Sequence, residues 1–361
     1  MLAVTTTTAL KITLYIIIIT SQNIHQSNYK GITITMAGSG HASQPFYMPL
    51  LFPAYNVASA VFKPQEEKGI EKSIPHSLGL FAYLATVAAS YRAAVLAWLA
   101  MYWLGEYPGY GEARVLEAGW MGRIVIRNLV FTWVVCGFWD WFLYFSPIKE
   151  KLFKYKITPK YPSLDQFLHD AKYTTLASII AAGMECLLCH LWATGALSYQ
   201  RDWWDTPVFN FVIAGTMVLW RSPHFYLIHR TMHPWRIPGV PDIGSFLYRK
   251  VHSLHHKSHN PTAWSGTSMH PVESLVYYSA CLLPALLCLH PVHTLATIVD
   301  CGLAAWTSHD GFVWPGSGST FHMMHHSQFD CNYGGIQVPL DRWFGTFAAS
   351  KEEVRGIWDK K

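Results

Sequence analysis

Four apolar runs of about twenty residues each constrain the fold of this 361-residue chain more than any other feature. They cover residues 77–104, 128–146, 174–199 and 208–228. A helix of roughly twenty apolar residues crosses the hydrocarbon core of a bilayer and satisfies its own backbone hydrogen bonds there. The composition agrees, because only 14% of the residues are charged, against about 25% in a typical soluble domain. The sequence therefore predicts an all-α fold, a multi-pass transmembrane helical bundle.

Each apolar run carries a charged residue, which is costly in a lipid-facing position. These residues are Arg92, Asp140, Glu185 and Arg221. Ionisable groups inside a membrane either extend to the interface or pair between helices, or they lie near the substrate path. Both interpretations stay open at the level of the sequence.

The distribution of lysine orients the helices. Loop 147–173 contains six lysines, whereas loop 200–207 contains a single arginine. By the positive-inside rule the first loop is cytosolic. Counting passes onward from it places the chain on the cytosolic side at residue 229.

Two shorter apolar runs, 272–289 and 294–306, indicate a helical hairpin that enters the membrane and returns. A hairpin makes an even number of passes, so the segments before and after it share one face. His290 and His293 lie between the two runs at the far tip. We therefore do not expect them to be metal ligands.

Histidine is concentrated between residues 220 and 347, which hold fourteen of the nineteen histidines. Spacings of three and four residues put side chains on one side of a helical turn, where they can bind one ion. Eight nitrogen donors exceed the four of tetrahedral zinc, so two metal ions are predicted. Imidazole suits iron, zinc, copper and nickel, and the ligand type does not select the metal. The eight histidines with this spacing are His229 and His233, then His252, His255 and His256, then His322, His325 and His326.

The ordered motifs H-x-x-x-H, H-x-x-H-H and H-x-x-H-H resemble those of the fatty acid hydroxylase and sterol desaturase superfamily of membrane di-iron oxygenases. The resemblance covers residues 215–348. Other similar segments are Tyr226-Leu-Ile-His229-Arg230, Tyr248-Arg-Lys-Val-His252, Met269-His270-Pro271, Asn332-Tyr333-Gly334 and Asp341-Arg-Trp-Phe344-Gly345-Thr346.

The resemblance implies two non-haem iron ions bound by the eight histidines, with His270 and His309 as further ligands. It implies O2 as the oxidant and electrons from NAD(P)H, delivered through cytochrome b5 or a similar carrier and its reductase as separate proteins. Removal of a hydrogen atom from an unactivated C–H bond would lead to hydroxylation or to a double bond. Glu273, Asp310 and Asn332 are candidates for groups that orient the histidine rings; alternatively, each is a helix cap or a surface group.

The chain departs from the family pattern beside the first histidine motif. Pro234 follows His233 where many members have a further histidine, and Ser222 and His224 stand near a position where many members have an acid. His259 is an additional histidine. The three motifs are intact despite these differences, and the roles of His224 and His259 stay open.

The resemblance further implies an integral membrane enzyme of the endoplasmic reticulum, with a histidine-rich metal-binding cap on the cytosolic side. Its expected substrate is a sterol or, next in preference, a fatty-acyl lipid, and its role is lipid biosynthesis. The predicted segments are a disordered or targeting segment at 1–45, a surface lead-in at 46–76, N-terminal transmembrane helices at 77–206, a fatty acid hydroxylase/sterol desaturase-like catalytic domain at 207–348 and a C-terminal tail at 349–361.

Two other classes of protein also combine apolar helices with clustered histidines. A zinc-dependent membrane lipid hydrolase would use a metal-bound water and needs fewer ligands than this chain offers. A non-enzymatic metal transporter or sensor would place its ligands at mid-membrane, whereas these motifs follow the ends of the apolar runs. A nucleic-acid partner is not expected, because the formal net charge is only +5 and Lys and Arg form no run of five.

Overall fold

The computed structural model describes residues 80–103, 111–237, 239–313 and 318–359. The two N-terminal segments predicted at 1–45 and 46–76 lie outside the described residues, as does the start of the first apolar run. All described residues belong to one unit, Tyr47–Lys361.

The described part of the chain is helical and contains no strand; its one β-bridge joins Lys156 to Phe312. The prediction of an all-α fold is confirmed. The α-helices are α1 (Leu80–Trp98), α2 (Ala118–Asp140), α3 (Lys149–Leu152), α4 (Leu164–Thr194), α5 (Pro207–Gly215), α6 (Val218–Thr231), α7 (Ile243–Lys250), α8 (Pro271–Tyr278), α9 (Leu282–Leu286), α10 (Pro291–Ser308), α11 (Ser319–Gln328), α12 (Leu340–Trp343) and α13 (Lys351–Asp359).

Two of the described helices are long and apolar enough to cross a membrane. They are Ala118–Phe145, which is α2 with a π-helical turn at its end, and α4. Both begin ten residues before the apolar runs that predicted them, and α4 starts at a capping residue and not where apolarity begins. Ser163 caps α4 by accepting a hydrogen bond from the backbone N–H of Gln166, and Gly195 ends it in the left-handed conformation at φ 75°. These helices fit a membrane protein.

The apolar run 208–228 is not one helix, contrary to the sequence prediction. It divides into α5 and α6 at Thr216 and Met217. The nine residues of α5 rise about 13 Å, well short of the roughly 30 Å of a bilayer core. The run 272–289 is likewise divided, into α8, a 3₁₀ turn and α9. The mean apolarity of each run predicted a helical segment but did not place these breaks within it.

Helix pairs are joined through the charged residues of the apolar runs. Glu185 on α4 binds Arg127 on α2 at 2.5 Å, and Arg221 on α6 binds Asp300 on α10 at 2.5 Å. Asp140 on α2 accepts a hydrogen bond from a backbone N–H at residue 263. The interpretation that these residues pair between segments is therefore confirmed for Asp140, Glu185 and Arg221. This packing brings the C-terminal ends of α6 and α10 together with α11.

Candidate metal centre

Nine buried histidines form two groups in which the ring nitrogens lie within 4.8 Å of one another. We call them the five-histidine group and the four-histidine group. The five-histidine group consists of His229, His233, His252, His256 and His325. The four-histidine group consists of His255, His309, His322 and His326.

The sequence motifs do not correspond one to one with these groups. We expected each H-x-x-H-H motif to present its three rings on one side of a helical turn. Instead, the last histidine motif, on α11, is divided: His322 and His326, four residues apart on one face, join the four-histidine group, and His325 joins the other. The second motif, in the 3₁₀ helix His252–Lys257, is divided as well. Each motif of three therefore bridges the two groups.

Nitrogens of the five-histidine group are spaced like ligands of one ion. Nε2 of His252 lies 3.0 Å from Nε2 of His229 and 3.1 Å from Nε2 of His256. Nε2 of His256 lies 3.2 Å from Nε2 of His325. Two nitrogens bound to one ion at about 2.0–2.1 Å would be about 2.9 Å apart at a right angle and about 3.3 Å apart at the tetrahedral angle. The observed separations fall in this range.

The four-histidine group has the same spacing. Nε2 of His309 lies 3.3 Å from Nε2 of His255 and 3.1 Å from Nε2 of His326. His309 was predicted as a ligand beyond the three motifs, and the structure places it at the centre of this group. It follows directly after α10, which delivers its ring to the histidines of the second and third motifs.

Hydrogen bonds at Nδ1 turn the lone pair of several rings toward the centre. His229 donates through Nδ1 to the carbonyl oxygen of Tyr333 at 2.6 Å, and His325 donates to that of Cys331 at 2.7 Å. His309 donates through Nδ1 to the carbonyl oxygen of residue 305 at 2.8 Å. A ring that carries its proton on Nδ1 presents an unprotonated Nε2, which is the form that binds a metal.

A carboxylate fixes a fourth ring. Glu273, in the first turn of α8, accepts a hydrogen bond from Nδ1 of His252 at 2.6 Å, and both side chains are buried. This is the arrangement in which a carboxylate orients a metal-binding histidine and raises its basicity. Glu273 was one of three residues predicted for such a role, and the structure places it against a ring of the five-histidine group.

Burial keeps the imidazoles neutral, as metal binding requires. It lowers the pKa of His325 to about 3 and that of His309 to about 4. It also lowers the pKa of His256 well below its usual value, and neighbouring histidines add to the effect. Both ring nitrogens of His233 have no partner among the described residues. Buried polar atoms are rarely left unpaired, so the two groups fit one bound cation each.

The other two residues predicted to orient the rings, Asp310 and Asn332, bind neighbouring segments of the chain. Asp310 accepts a hydrogen bond from the indole of Trp139 at 3.2 Å. Asn332 holds the chain at residue 348, whose backbone N–H donates to its side-chain oxygen at 2.9 Å. Asn332 also adopts φ 54°, a left-handed conformation that asparagine tolerates well. It thereby fixes the two flanking carbonyls, of Cys331 and Tyr333, that accept from His325 and His229 as described above.

Sequence reasoning missed the acceptor segment 331–334 and the residue that holds it. The carboxylate of Asp341 accepts hydrogen bonds from the backbone N–H groups of Tyr333 and Gly334, each at 2.8 Å. Burial raises the pKa of Asp341 to about 6. Asp341 belongs to a segment that resembles the family ending, and that resemblance was the signal that could have assigned it.

The structure brings neither His270 nor the two open candidates into the histidine groups. Nδ1 of His270 accepts a hydrogen bond from the backbone N–H of Val272 and caps α8. His224 lies 2.9 Å from the hydroxyl of Ser279 through Nε2. His259 is exposed. Of the two ligands predicted beyond the motifs, the structure therefore groups His309 with the others and not His270.

The histidines at the predicted hairpin tip also lie outside both groups. Nε2 of His290 is 3.3 Å from the hydroxyl of Tyr102, and Nε2 of His293 is 3.1 Å from the side-chain oxygen of Asn210. Their contacts are with α5 and with the turn that follows α1.

A cavity opens beside both groups. His229 and His252 line it from the five-histidine group, and His255, His309 and His322 line it from the four-histidine group. Side chains of α6 and α10 form much of its wall. The lining combines apolar side chains with clustered polar groups, as small-molecule sites commonly do.

Comparison with known proteins agrees with this geometry. Residues 214–346 match the family model described as fatty acid hydroxylase. The chain is 22% identical over 254 residues to a putative Delta(7)-sterol-C5(6)-desaturase 2 of Arabidopsis thaliana, covering 67% of this chain and 85% of that protein. It is 26% identical over 242 residues to methylsterol monooxygenase 1 of Danio rerio, covering 63% and 77%. A Delta(7)-sterol 5(6)-desaturase of Candida dubliniensis is 29% identical over 170 residues, covering 40% and 41%. No solved structure matches the chain.

Two buried histidine groups beside a cavity are compatible with metal binding, and the two candidate spans fit a membrane protein. The match of residues 214–346 to the fatty acid hydroxylase model and the similarity to sterol desaturases and a methylsterol monooxygenase support the fatty acid hydroxylase and sterol desaturase superfamily, as the sequence motifs predicted.

Proposed function

We propose that this protein is a membrane-bound non-haem di-iron oxidoreductase that uses O2 and reducing equivalents to hydroxylate or desaturate a lipid. The observation that carries the proposal is the convergence of nine buried imidazoles into two groups beside one cavity. Five and four nitrogen donors are more than two tetrahedral zinc sites require. They suit two ions of higher coordination number that also keep positions for other ligands.

The nine histidines are the residues that would hold the ions. His229, His252, His309 and His325 are oriented by the hydrogen bonds at Nδ1 and present Nε2 to the centre. Because the pKa values of the buried rings are lowered, no proton has to be displaced near neutral pH for the ions to bind. Bound iron would supply the activation of O2 that oxidation of an unactivated C–H bond requires.

The cavity would hold the lipid against this centre and keep water away from it. Phe225 and Ile228 of α6 line it, as do Met232, Met269 and Tyr277. Excluding water protects a reactive centre from side reactions. A sterol is the favoured substrate and a fatty-acyl lipid the next, because the relatives named above are sterol desaturases and a methylsterol monooxygenase.

The reducing equivalents would come from NAD(P)H through a separate carrier, cytochrome b5 or a similar protein with its reductase. The protein would be integral to the endoplasmic reticulum membrane in several passes, with the histidine groups on the cytosolic side. Five of the six lysines of loop 147–173 lie between the two candidate spans, which supports a cytosolic position for that loop. The histidine groups share that side if α5 and α6 together cross the bilayer.

Metal analysis of the purified full-length protein, followed by turnover with a sterol extract, tests the proposal. We expect about two irons per chain, in line with the two groups, and lipid oxidation that depends on O2 and on a reductant. One zinc per chain with lipid hydrolysis would identify a hydrolase instead. Metal bound without any turnover would favour a transporter or sensor.

A further inference from the structure

Asp170, on α4, is a fully buried carboxylate outside both histidine groups. Its Oδ1 accepts hydrogen bonds from the hydroxyls of Ser258 at 2.7 Å and Ser268 at 2.9 Å, and its Oδ2 accepts one from Ser265 at 2.7 Å. The hydroxyl of Ser265 itself accepts a hydrogen bond from the backbone N–H of Thr262, so its proton points to Asp170. A side chain that accepts at both oxygens is an ionised carboxylate, which offers no donor of its own.

The negative charge of Asp170 has no permanent cation against it. Within the described part of the chain neither Lys nor Arg forms an ion pair with it, and its ionisable neighbour His169 lies 3.0 Å away through Nδ1. A neutral histidine can donate that hydrogen bond without supplying charge. Buried charges are normally paired with an opposite charge or bound to a metal. The fold therefore keeps a buried negative charge that no permanently charged side chain offsets.

Asp170 is linked to the four-histidine group by two routes. The backbone N–H of Ser258 donates to the carbonyl oxygen of His255 at 3.3 Å, so a serine that Asp170 holds also holds the backbone of a histidine in that group. The second route is electrostatic. Burial lowers the pKa of His309, while a backbone hydrogen bond and the negative charge of Asp170 oppose that effect. A charge that favours the cationic form of a ring also favours a cation bound to that ring.

The two buried carboxylates divide between the two histidine groups. Glu273 accepts a hydrogen bond directly from His252 of the five-histidine group. Asp170 reaches the four-histidine group through the serines and through its charge. Neutral imidazoles bring no negative charge to a bound cation, so a carboxylate nearby lowers the energy of the charged centre.

We propose that Asp170 is a positioning residue for the four-histidine group, where it offsets the charge of the bound cation and holds segment 258–268 beside His255. The proposal rests on the function proposed above and deepens it, because it assigns a residue that sets the affinity and the reduction potential of one of the two ions. Asp170 does not touch the ion or the substrate.

Titration of the metal-free full-length protein in detergent with Co²⁺, followed by visible absorption, tests the affinity of each group. His322→Ala should lose the binding step of the four-histidine group and thereby identifies it. Asp170→Asn keeps the size of the side chain and an acceptor oxygen for the serines but removes the charge. It should weaken that step by about 10- to 100-fold and affect the other step less. Equal weakening of the two steps overturns the proposal.

Thr174→Val is the matched control. Thr174 lies four residues further along α4, is equally buried and donates to the carbonyl oxygen of Trp264 at 2.5 Å. The valine variant therefore loosens the same segment without any change of charge. It should lower the thermal stability and leave both Co²⁺ steps as in the wild type. If it weakens Co²⁺ binding as much as Asp170→Asn does, Asp170 only anchors the segment and the proposal fails.

The reduction potential of the iron-loaded protein separates charge from anchoring. A negative charge favours the more highly charged, oxidised ion, so Asp170→Asn should raise the potential and Thr174→Val should not. An unchanged potential in Asp170→Asn contradicts the proposal. If Asp170→Asn folds poorly, Asp170→Glu and Asp170→Gln form a second pair of equal size, and only the glutamine variant should show the higher potential and the weaker Co²⁺ step.

The outcome is separable from that of the proposed function. Co²⁺ binding needs neither O2 nor lipid, so a selective loss in Asp170→Asn stands even if the protein oxidises no lipid. Conversely, an active oxygenase whose Asp170→Asn variant keeps the wild-type Co²⁺ affinity and potential would retain the proposed function and overturn the role of Asp170.

Discussion

The two histidine groups differ in how firmly the fold holds them. In the five-histidine group His229, His252 and His325 donate from Nδ1 to fixed acceptors. In the four-histidine group His309 donates from Nδ1, and the Nδ1 of His326 has no partner among the described residues, as also holds for His233 and His256 of the five-histidine group. Because three rings of the five-histidine group have fixed acceptors, we expect that group to retain an ion more tightly. The four-histidine group has fewer nitrogen ligands, and fewer of its rings are held by hydrogen bonds at Nδ1.

The groups also differ in their relation to the cavity. Three of the four rings in the four-histidine group line it, against two of the five in the other group. A site with fewer protein ligands and more contact with the cavity has more room for small ligands. The comparison indicates that one group mainly retains an ion and the other mainly meets the substrates. The following predictions test that division.

The largest effect is expected from removing one ligand of each group. His325→Ala should lose the ion of the five-histidine group and His322→Ala that of the four-histidine group, each lowering turnover by more than about 100-fold, beyond the loss typical for an orienting residue. Metal content measured on each purified variant should fall by one ion and not by two. Loss of both ions in both variants would show that the groups do not act as separate sites.

A smaller and more selective effect is expected from Glu273→Gln. The amide keeps the shape but is a weaker hydrogen-bond acceptor for His252 than a carboxylate, so metal affinity should fall by about 10- to 100-fold. Competition with a chelator, followed by metal analysis, should show the loss in the five-histidine group only. Glu150→Gln is the control, since Glu150 is exposed. Equal losses of metal affinity in Glu273→Gln and Glu150→Gln would show that Glu273 does not orient His252.

Removing the metal should lower thermal stability and should do so in two steps. A ligand present at 100 to 1,000 times its dissociation constant stabilises a fold by about 2.7–4.1 kcal/mol, which corresponds to a Tm lower by about 5–15 °C in the chelated protein. The ion of the four-histidine group should leave first, because its rings are less anchored. Metal release can be monitored by stopped-flow spectroscopy. Release of both ions in a single phase would contradict the expected difference between the two groups.

The smallest effect is expected at His290, which lies outside both groups. His290→Gln should leave the metal content unchanged. Burial lowers the pKa of His290 to about 4, against about 6.5 in an unfolded chain, so the unfolded state binds more protons between these values. The wild type therefore loses stability as the pH falls through that window. His290→Gln should unfold at a slightly lower pH, as followed by circular dichroism. Loss of iron in this variant would mean that His290 belongs to the centre.

The sequence predicted the kind of site better than the partition of its ligands. Spacing within each motif shows which residues share a helical face, and that was enough to find eight histidines of the nine. The spacing does not show which of the two groups His255 and His256 each join, because that depends on where α10 and α11 lie. His309 and His270 were indistinguishable in the sequence. Only the position of His309 after α10 brings it among the other rings.

The prediction of the apolar helices from the sequence was limited in the same way. Apolarity predicted helical segments, but it did not place the break at Thr216, where one expected span becomes α5 and α6. That break depends on packing and on local backbone geometry, and an apolar composition does not record either.

By itself the sequence determined the helical class, the histidine motifs of a candidate metal site and the similarity to the superfamily, because apolar runs and histidine spacing are local properties of the chain. The tertiary structure decided how those histidines divide into two groups, which carbonyls and which carboxylate orient them, and which residues line the cavity. The carbonyls of Cys331 and Tyr333 carry no signal in their side chains, so only the folded backbone could assign them. The ion pair between Arg221 and Asp300 likewise exists only because α6 and α10 pack together.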